Sequence, residues 1–277
     1  MRRGFPQGLD RGGQAVTSWL AALLCLSGAF EGAFPDAAAV GRGGADAAWA
    51  GEGDALEANP ALVADAPKTE AGAGWTRPLD LEGVDLSGFW AHGRLPSGTG
   101  LAARWRNLTA ADVYREDLLA VDAAQSAGRL SLGAGWRWSR IEVAGKSLGC
   151  PLGWALGGTV ALARAVRLGA SWEDVSGFRS EGLAQPWAFR MAASAQGADS
   201  TWNAQMGGLY RQRGSWTWDA GQELRLDPIR LRLGVRTAPW TLCAGIGGIW
   251  KGVMIDYAME GEPKLGLQHH GAASWRW

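Results

Sequence analysis

The stretch Trp240-Thr241-Leu242-Cys243-Ala244-Gly245-Ile246-Gly247-Gly248-Ile249-Trp250 decides the fold. Side chains alternate between the two faces of a β-strand, so Trp240, Leu242, Ala244, Ile246, Gly248 and Trp250 share one face. That face is apolar or small along its whole length and carries an indole at each end. The two Trp lie about ten residues apart, the span a tilted strand needs to cross a bilayer with an aromatic at both interfaces.

The same period of two runs outward from this segment in both directions. Leu130, Leu132, Ala134, Trp136 and Trp138 oppose Arg129, Ser131, Gly133, Gly135, Arg137 and Ser139. Ile229, Leu231, Leu233 and Val235 oppose Arg230, Arg232, Gly234 and Arg236, and Leu101, Ala103 and Trp105 oppose Ala102, Arg104 and Arg106. A soluble β-sandwich also alternates, but its outer face is ordinarily Thr, Lys, Glu and Ser. Here the polar face is Arg and Gly, and Trp gathers near strand ends. A transmembrane antiparallel β-barrel is therefore expected, with a soluble periplasmic β-domain as the alternative.

Composition agrees. Among 277 residues there are 42 Gly and 17 Trp, and 27 basic residues balance 27 acidic ones. A balanced charge with no basic run longer than a pair excludes a nucleic-acid-binding surface, and 47% hydrophobic residues exclude wholesale disorder. Three Cys give neither zinc spacing nor a disulfide framework.

Residues 1–29 read as a secretory signal. Arg2, Arg3 and Arg11 precede the apolar run Trp19 to Leu26, and Ser27-Gly28-Ala29 offers a cleavage site. Leu24 before Cys25 argues against a lipoprotein. Cys150 and Cys243 then remain in an oxidising compartment, and the sequence leaves open whether they pair. Ser147 to Ala163 is uncharged, but Pro151 and four Gly make it a poor membrane helix.

Candidate strands fall near 84–92, 99–107, 129–142, 153–163, 164–173, 186–195, 200–210, 214–222, 228–237, 239–250, 252–259 and 265–277. With Gly72 to Leu79 adding one or two, the expectation is roughly 12 to 14 strands. Thr109 to Gly128 breaks the alternation and shows a helix-like spacing of Val113, Leu118, Leu119 and Val121. It is expected to be an extramembrane loop with a short helix. The chain ends Ser274-Trp275-Arg276-Trp277. An alternating strand finishing on an aromatic is the signal that the barrel-assembly machinery of Gram-negative outer membranes reads, and Trp275 and Trp277 would carry it.

Two regions resemble a known family. The stretch Asp46 to Ala64, with Asn59-Pro60-Ala61-Leu62, is similar to the segment after the signal in FadL-like and PorV/PorQ-like outer-membrane proteins. Leu233-Gly234-Val235-Arg236-Thr237-Ala238-Pro239, Gly245-Ile246-Gly247, Ile255-Asp256-Tyr257-Ala258 and Leu265-Gly266-Leu267-Gln268-His269 resemble the last four strands of the PorV/PorQ-like group. The resemblance implies a barrel of about 14 strands over residues 71–277, with residues 30–70 as a linker and a short helical hatch in the lumen. The residues themselves suit a plug, since Ala-rich pieces are broken by Gly51, Gly53 and Asn59-Pro60. The plain alternative for Asn59, Pro60 and Ala61 is an ordinary turn between short helices.

No catalytic constellation is visible, and no metal or cofactor is expected. His92, His269 and His270 are the only histidines, and the last two, being adjacent, point to opposite faces of a strand. Arg104, Arg106, Arg137, Arg230, Arg232 and Arg236 are candidates to line the lumen, because an Arg at the lipid midplane costs about 2–4 kcal/mol. Asp219 and Glu223 are positioned to neutralise them. The FadL side of the resemblance implies passive transport of a small, hydrophobic substrate. The PorV/PorQ side implies an accessory barrel for protein secretion or surface attachment, with secretion-system proteins as partners.

Overall fold

The computed structural model of the chain describes residues 36–49, 58–66, 68–111, 113–149, 152–174, 179–180, 183–184, 187–212, 214–263 and 266–277. The expected signal, Cys25 and Cys150 lie outside them. In chain order the strands are β1 (Glu70–Thr76), β2 (Val84–Arg94), β3 (Gly100–Ala110), β4 (Tyr114–Ala127), β5 (Leu130–Val143), β6 (Lys146–Gly149), β7 (Leu152–Ala163), β8 (Val166–Glu173), β9 (Arg179–Ser180) and β10 (Leu183–Ala184). They continue with β11 (Ala188–Gln196), β12 (Trp202–Arg211), β13 (Trp216–Leu226), β14 (Ile229–Arg236), β15 (Thr241–Trp250), β16 (Val253–Glu262) and β17 (Gly266–Arg276).

Leaving aside the short β6, β9 and β10, each strand pairs antiparallel with the next, and β1 pairs with β17 to close a 14-strand barrel. Trp277 N donates to Thr69 O (3.2 Å) at this seam. The end at which β1 begins and β17 finishes, the terminal end, has tight turns, such as Lys251-Gly252, where both residues have positive φ (49° and 85°). That is the type I′ geometry that matches strand twist. The opposite end carries longer connections, residues 77–83 among them.

The period of two maps directly onto the wall. Trp240, just before β15, and Leu242, Ile246 and Trp250 on it are turned outward, at 66, 72, 50 and 71% exposure, while Thr241 and Cys243 are buried inside. Lipid-facing aromatics form a girdle near the loop end: Trp172 meets Trp187 (6.0 Å between centroids), Trp187 meets Tyr210 (5.5 Å), Tyr210 meets Trp216 (5.5 Å) and Trp216 stacks on Trp218 (5.4 Å). At the terminal end Trp202, Trp250, Trp275 and Trp277 are exposed. A soluble sandwich would bury such a surface; a contiguous apolar belt on a closed barrel is a membrane-facing one.

The expected loop at 109–128 is instead the end of β3 and the whole of β4. Strands β2 to β5 run past the girdle, and there their polarity inverts. Their outer face becomes polar, with Arg115 bonded to Asp117 (2.9 Å), Asn107 to Asp117 (2.9 Å) and Arg140 to Glu142. Their inner face becomes apolar, with Leu86, Leu108 and Tyr114 packed against Val84, Ile141 and Val143. Beyond the lipid the ordinary inside-apolar rule returns, and a strand that carries both rules in turn shows no single alternation. With β1 and β4 added, the expected segments account for the 14 barrel strands.

Ile246 sits on the outer face near the midpoint between Trp240 and Trp250. Ile246→Arg should lower unfolding stability in lipid by about 2–4 kcal/mol, read by denaturant titration in vesicles. The same change at Trp250, at the interface, should cost about 0–1 kcal/mol for the charge itself.

Candidate functional site

The inner face of the barrel is polar, and its terminal half is filled by the chain's own N-terminal segment. Helix α1 (Ala37–Gly41) starts at Asp36, whose Oδ1 accepts from Ala38 N (2.8 Å), and packs through Ala37 and Val40 on Ala258 and Ala272. A short turn at Asp46–Ala48 lies against β8, β11 and β12, and another at Pro60–Asp65 against β3, β4, β5 and β7. Ala61, Leu62, Val63 and Ala64 are fully buried.

Glycine on the wall makes this docking possible. A Cβ on Gly133 would lie 2.6 Å from the main chain of Pro60 and Ala61. Cβ atoms on Gly100, Gly169, Gly221 and Gly234 would collide with the backbone of Val63, Ala47, Arg42 and Gly43 in turn. The lumenal segment thus touches the wall main chain to main chain. Other lumenal glycines solve a second packing problem. Gly135, Gly207 and Gly247 each stand opposite an aspartate on the neighbouring strand, Asp122, Asp219 and Asp256, and each carboxylate lies flat over its glycine.

Polar side chains complete the docking. Asn59, wholly buried, caps the Pro60 turn through Oδ1 to Ala61 N (3.0 Å) and donates from Nδ2 to Ala47 O (2.8 Å) and Gly158 O (3.1 Å). It ties the two pieces of the segment to each other and to β7. Asp65 accepts from Ser126 and Ser131 (3.0 Å each) and pairs with Arg167 (2.7 Å). Arg42, with no exposed surface, binds Asp46 (3.1 Å) and Glu223 (3.1 Å). Glu223 also accepts from Arg232 (2.7 Å) and Arg225 (2.7 Å), and Arg232 reaches Asp256. Three guanidiniums therefore converge on one carboxylate, and only Arg42 belongs to the segment.

Of the candidate lumenal arginines, Arg104, Arg106, Arg137, Arg230 and Arg232 are buried inside the barrel and Arg236 is half-buried. Arg104 pairs with Asp122, Arg137 with Glu173 (3.1 Å) and Arg236 with Glu260. Arg190 bridges to Glu173 as well (3.2 Å). Glu223 neutralises arginine, whereas Asp219 lies over Gly207 and forms no salt bridge with an arginine among the described residues. His270 faces inward at 3.4 Å from Glu260, and His269 faces outward, bonded to Tyr257. Trp275 and Trp277 stand outside on the closing strand, ring to ring at 5.1 Å. Cys243 is a buried free thiol, and no metal-holding cluster occurs among the described residues.

Sequence reasoning missed Arg42, Asp46 and Asp65. For the first two the signal was present: an Arg and an Asp four residues apart are the only charges between Ala37 and Ala48, in a stretch otherwise of Ala, Val and Gly.

No family model matches the chain, and no curated protein matches it in sequence. Solved structures do match in fold. The CymD monoaromatic hydrocarbon channel gives a TM-score of 0.64 at 12% identity, over 88% of this chain and 96% of that one. The toluene transporter TodX of Pseudomonas putida gives 0.57 at 12% identity, over 85% and 95%. Omp33, an outer-membrane protein of Acinetobacter baumannii, gives 0.52 at 7% identity, over 76% and 98%. The fold is that of the outer-membrane β-barrels.

Two substitutions test how the segment is held. Gly133→Val should displace residues 58–66, giving fast amide exchange there while the wall stays protected. Arg42→Ala should weaken docking of residues 37–48 by about 3 kcal/mol, the order of a broken buried pair, seen as faster exchange of those amides alone.

Proposed function

We propose that the protein is an outer-membrane channel for a small solute, held closed by the N-terminal segment acting as a hatch. The observation that carries this reading is the filling of the terminal half of the lumen by residues 36–49 and 58–66, which meet the wall through glycine contacts and through the ion pairs of Glu223 and Asp65. The apolar outer belt supports a barrel set in a bilayer. The fold likeness to hydrocarbon and toluene channels supports passive transport rather than catalysis. In this reading residues 1–29 direct export, residues 30–70 form the linker and hatch, residues 71–277 form the wall, and Trp275 and Trp277 engage the assembly machinery of a Gram-negative-type outer membrane.

A purely hydrophobic solute would need a continuous apolar pocket beyond the hatch. The described side chains next to the hatch, including Arg106, Arg137, Glu173, Arg190 and Glu260, are charged, and the inner face turns apolar only farther toward the loop end, at Leu86, Leu108 and Tyr114. The charged groups favour a solute that carries polar groups of its own. The secretion-accessory reading finds no support in the described residues or in the solved structures that match.

Proteoliposome swelling tests the proposal. Wild-type protein should admit a pentose slowly, and deletion of residues 36–66 should raise the rate at least about tenfold, since the hatch fills the lumenal cross-section. A deletion variant that still shows heat-modifiable barrel mobility on a gel, but swells no faster than the wild type, would sink the hatch.

A further inference from the structure

His269 and Tyr257 are exposed on the outer wall, on β17 and β16, and are bonded to each other through Nδ1 and the phenol oxygen. Their rings stack at 6.0 Å between centroids. Tyr257 stands opposite Ile246 of β15, and His269 opposite Met259 of β16. On these two strands the exposed neighbours are apolar in both directions, Met259 and Leu267 toward the loop end and Ile255 and Trp275 toward the terminal end. A polar pair thus lies inside the apolar belt and faces away from the lumen. An ionisable side chain within a membrane ordinarily faces protein or a water-filled cavity, because hydrocarbon has no partner for it.

The pair still has bonding capacity to spare. Nε2 of His269 has no hydrogen bond among the described residues. If the phenol donates to Nδ1, the ring carries its proton on Nε2 and the phenol oxygen keeps a lone pair. In the other tautomer Nε2 accepts and the phenol O–H donates. Either way one donor and one acceptor stand side by side, a pattern that is its own complement after a two-fold rotation. An acyl chain offers neither group. The wall beside the pair is also low. Gly271, where an added Cβ would meet nothing within 4 Å, and Ala71, Ala73 and Ala273 form the outer face of β17 and β1 there. Small residues let two membrane-embedded surfaces approach closely enough for polar side chains to bond across them. We propose that the outer face of β16, β17 and β1 is a two-fold interface between two copies of this chain, with His269 of each copy bonded to Tyr257 of the other. An axis along the bilayer normal keeps both barrels in the same orientation. Such a dimer requires the lipid-facing belt but not a channel.

Disulfide trapping in phosphatidylcholine vesicles at high lipid excess tests the interface, using full-length protein freed of its own cysteines and copper phenanthroline as the oxidant. Leu267→Cys, outward on β17 beside His269, should give cross-linked dimers at least about tenfold faster than Trp172→Cys, outward on the opposite side of the barrel. Adding His269→Leu, or Tyr257→Phe, should bring the Leu267→Cys rate down to that of Trp172→Cys. Both changes replace a polar group on the lipid-facing wall by an apolar one, so the folded barrel should keep its heat-modifiable mobility on a gel. A Leu267→Cys rate no higher than that of Trp172→Cys, or one that His269→Leu leaves unchanged, would overturn the interface.

Discussion

Hydrocarbon offers no partner for a backbone N–H or C=O, and closure of the sheet is the constraint on which everything else in this molecule depends. Pairing of β1 with β17 removes both edges and turns a strand meander into a wall with an inside and an outside. Once closed, every strand must put its apolar side chains outward and its polar ones inward. The familiar rule for soluble proteins is reversed, and the interior acquires charges that have to be satisfied within a confined space. The arginines meet this need through aspartates laid over glycine and through glutamates shared between strands, so the polar face is largely self-neutralising.

The closed wall leaves a lumen, and the chain fills half of it with itself. Small residues decide how: glycine on the wall admits the backbone of the segment, alanine on the segment keeps its own side chains short, and a few polar groups fix the register. Asn59 uses both donors and its acceptor at once. Glu223 holds wall and segment together through three arginines, so releasing Arg42 leaves it still paired with Arg225 and Arg232. That asymmetry suits a part that moves against a part that does not.

Much of this was legible in the sequence. The Trp240–Trp250 row gave strand direction, lipid face and girdle at once, because a single rule governs the whole of β15. Strand β4 was illegible for the opposite reason: Arg115 and Asp117 lie outside the lipid, whereas Leu119 and Val121 lie within it, and only the depth of the membrane tells them apart. The abundance of Gly pointed to a barrel, but not to its use as a landing surface. That use depends on Gly100, Gly133 and Gly221 coming level with Val63, Pro60 and Arg42, segments far apart in the chain. The ion cluster around Glu223 was hidden similarly, since Arg42 and Glu223 are 181 residues apart.

The central claim is that the apolar face of each strand meets lipid while the opposite face meets the protein's own interior. Nitroxide scanning of residues 241–249 in reconstituted, cysteine-free protein tests it most directly. Oxygen accessibility should alternate with a period of two, high at 242, 244, 246 and 248 and low between, and accessibility to a water-soluble nickel chelate should be lowest near 246. Even-numbered positions shielded from oxygen, or a profile without the alternation, would mean that this face packs in a protein core, and the membrane barrel would be wrong.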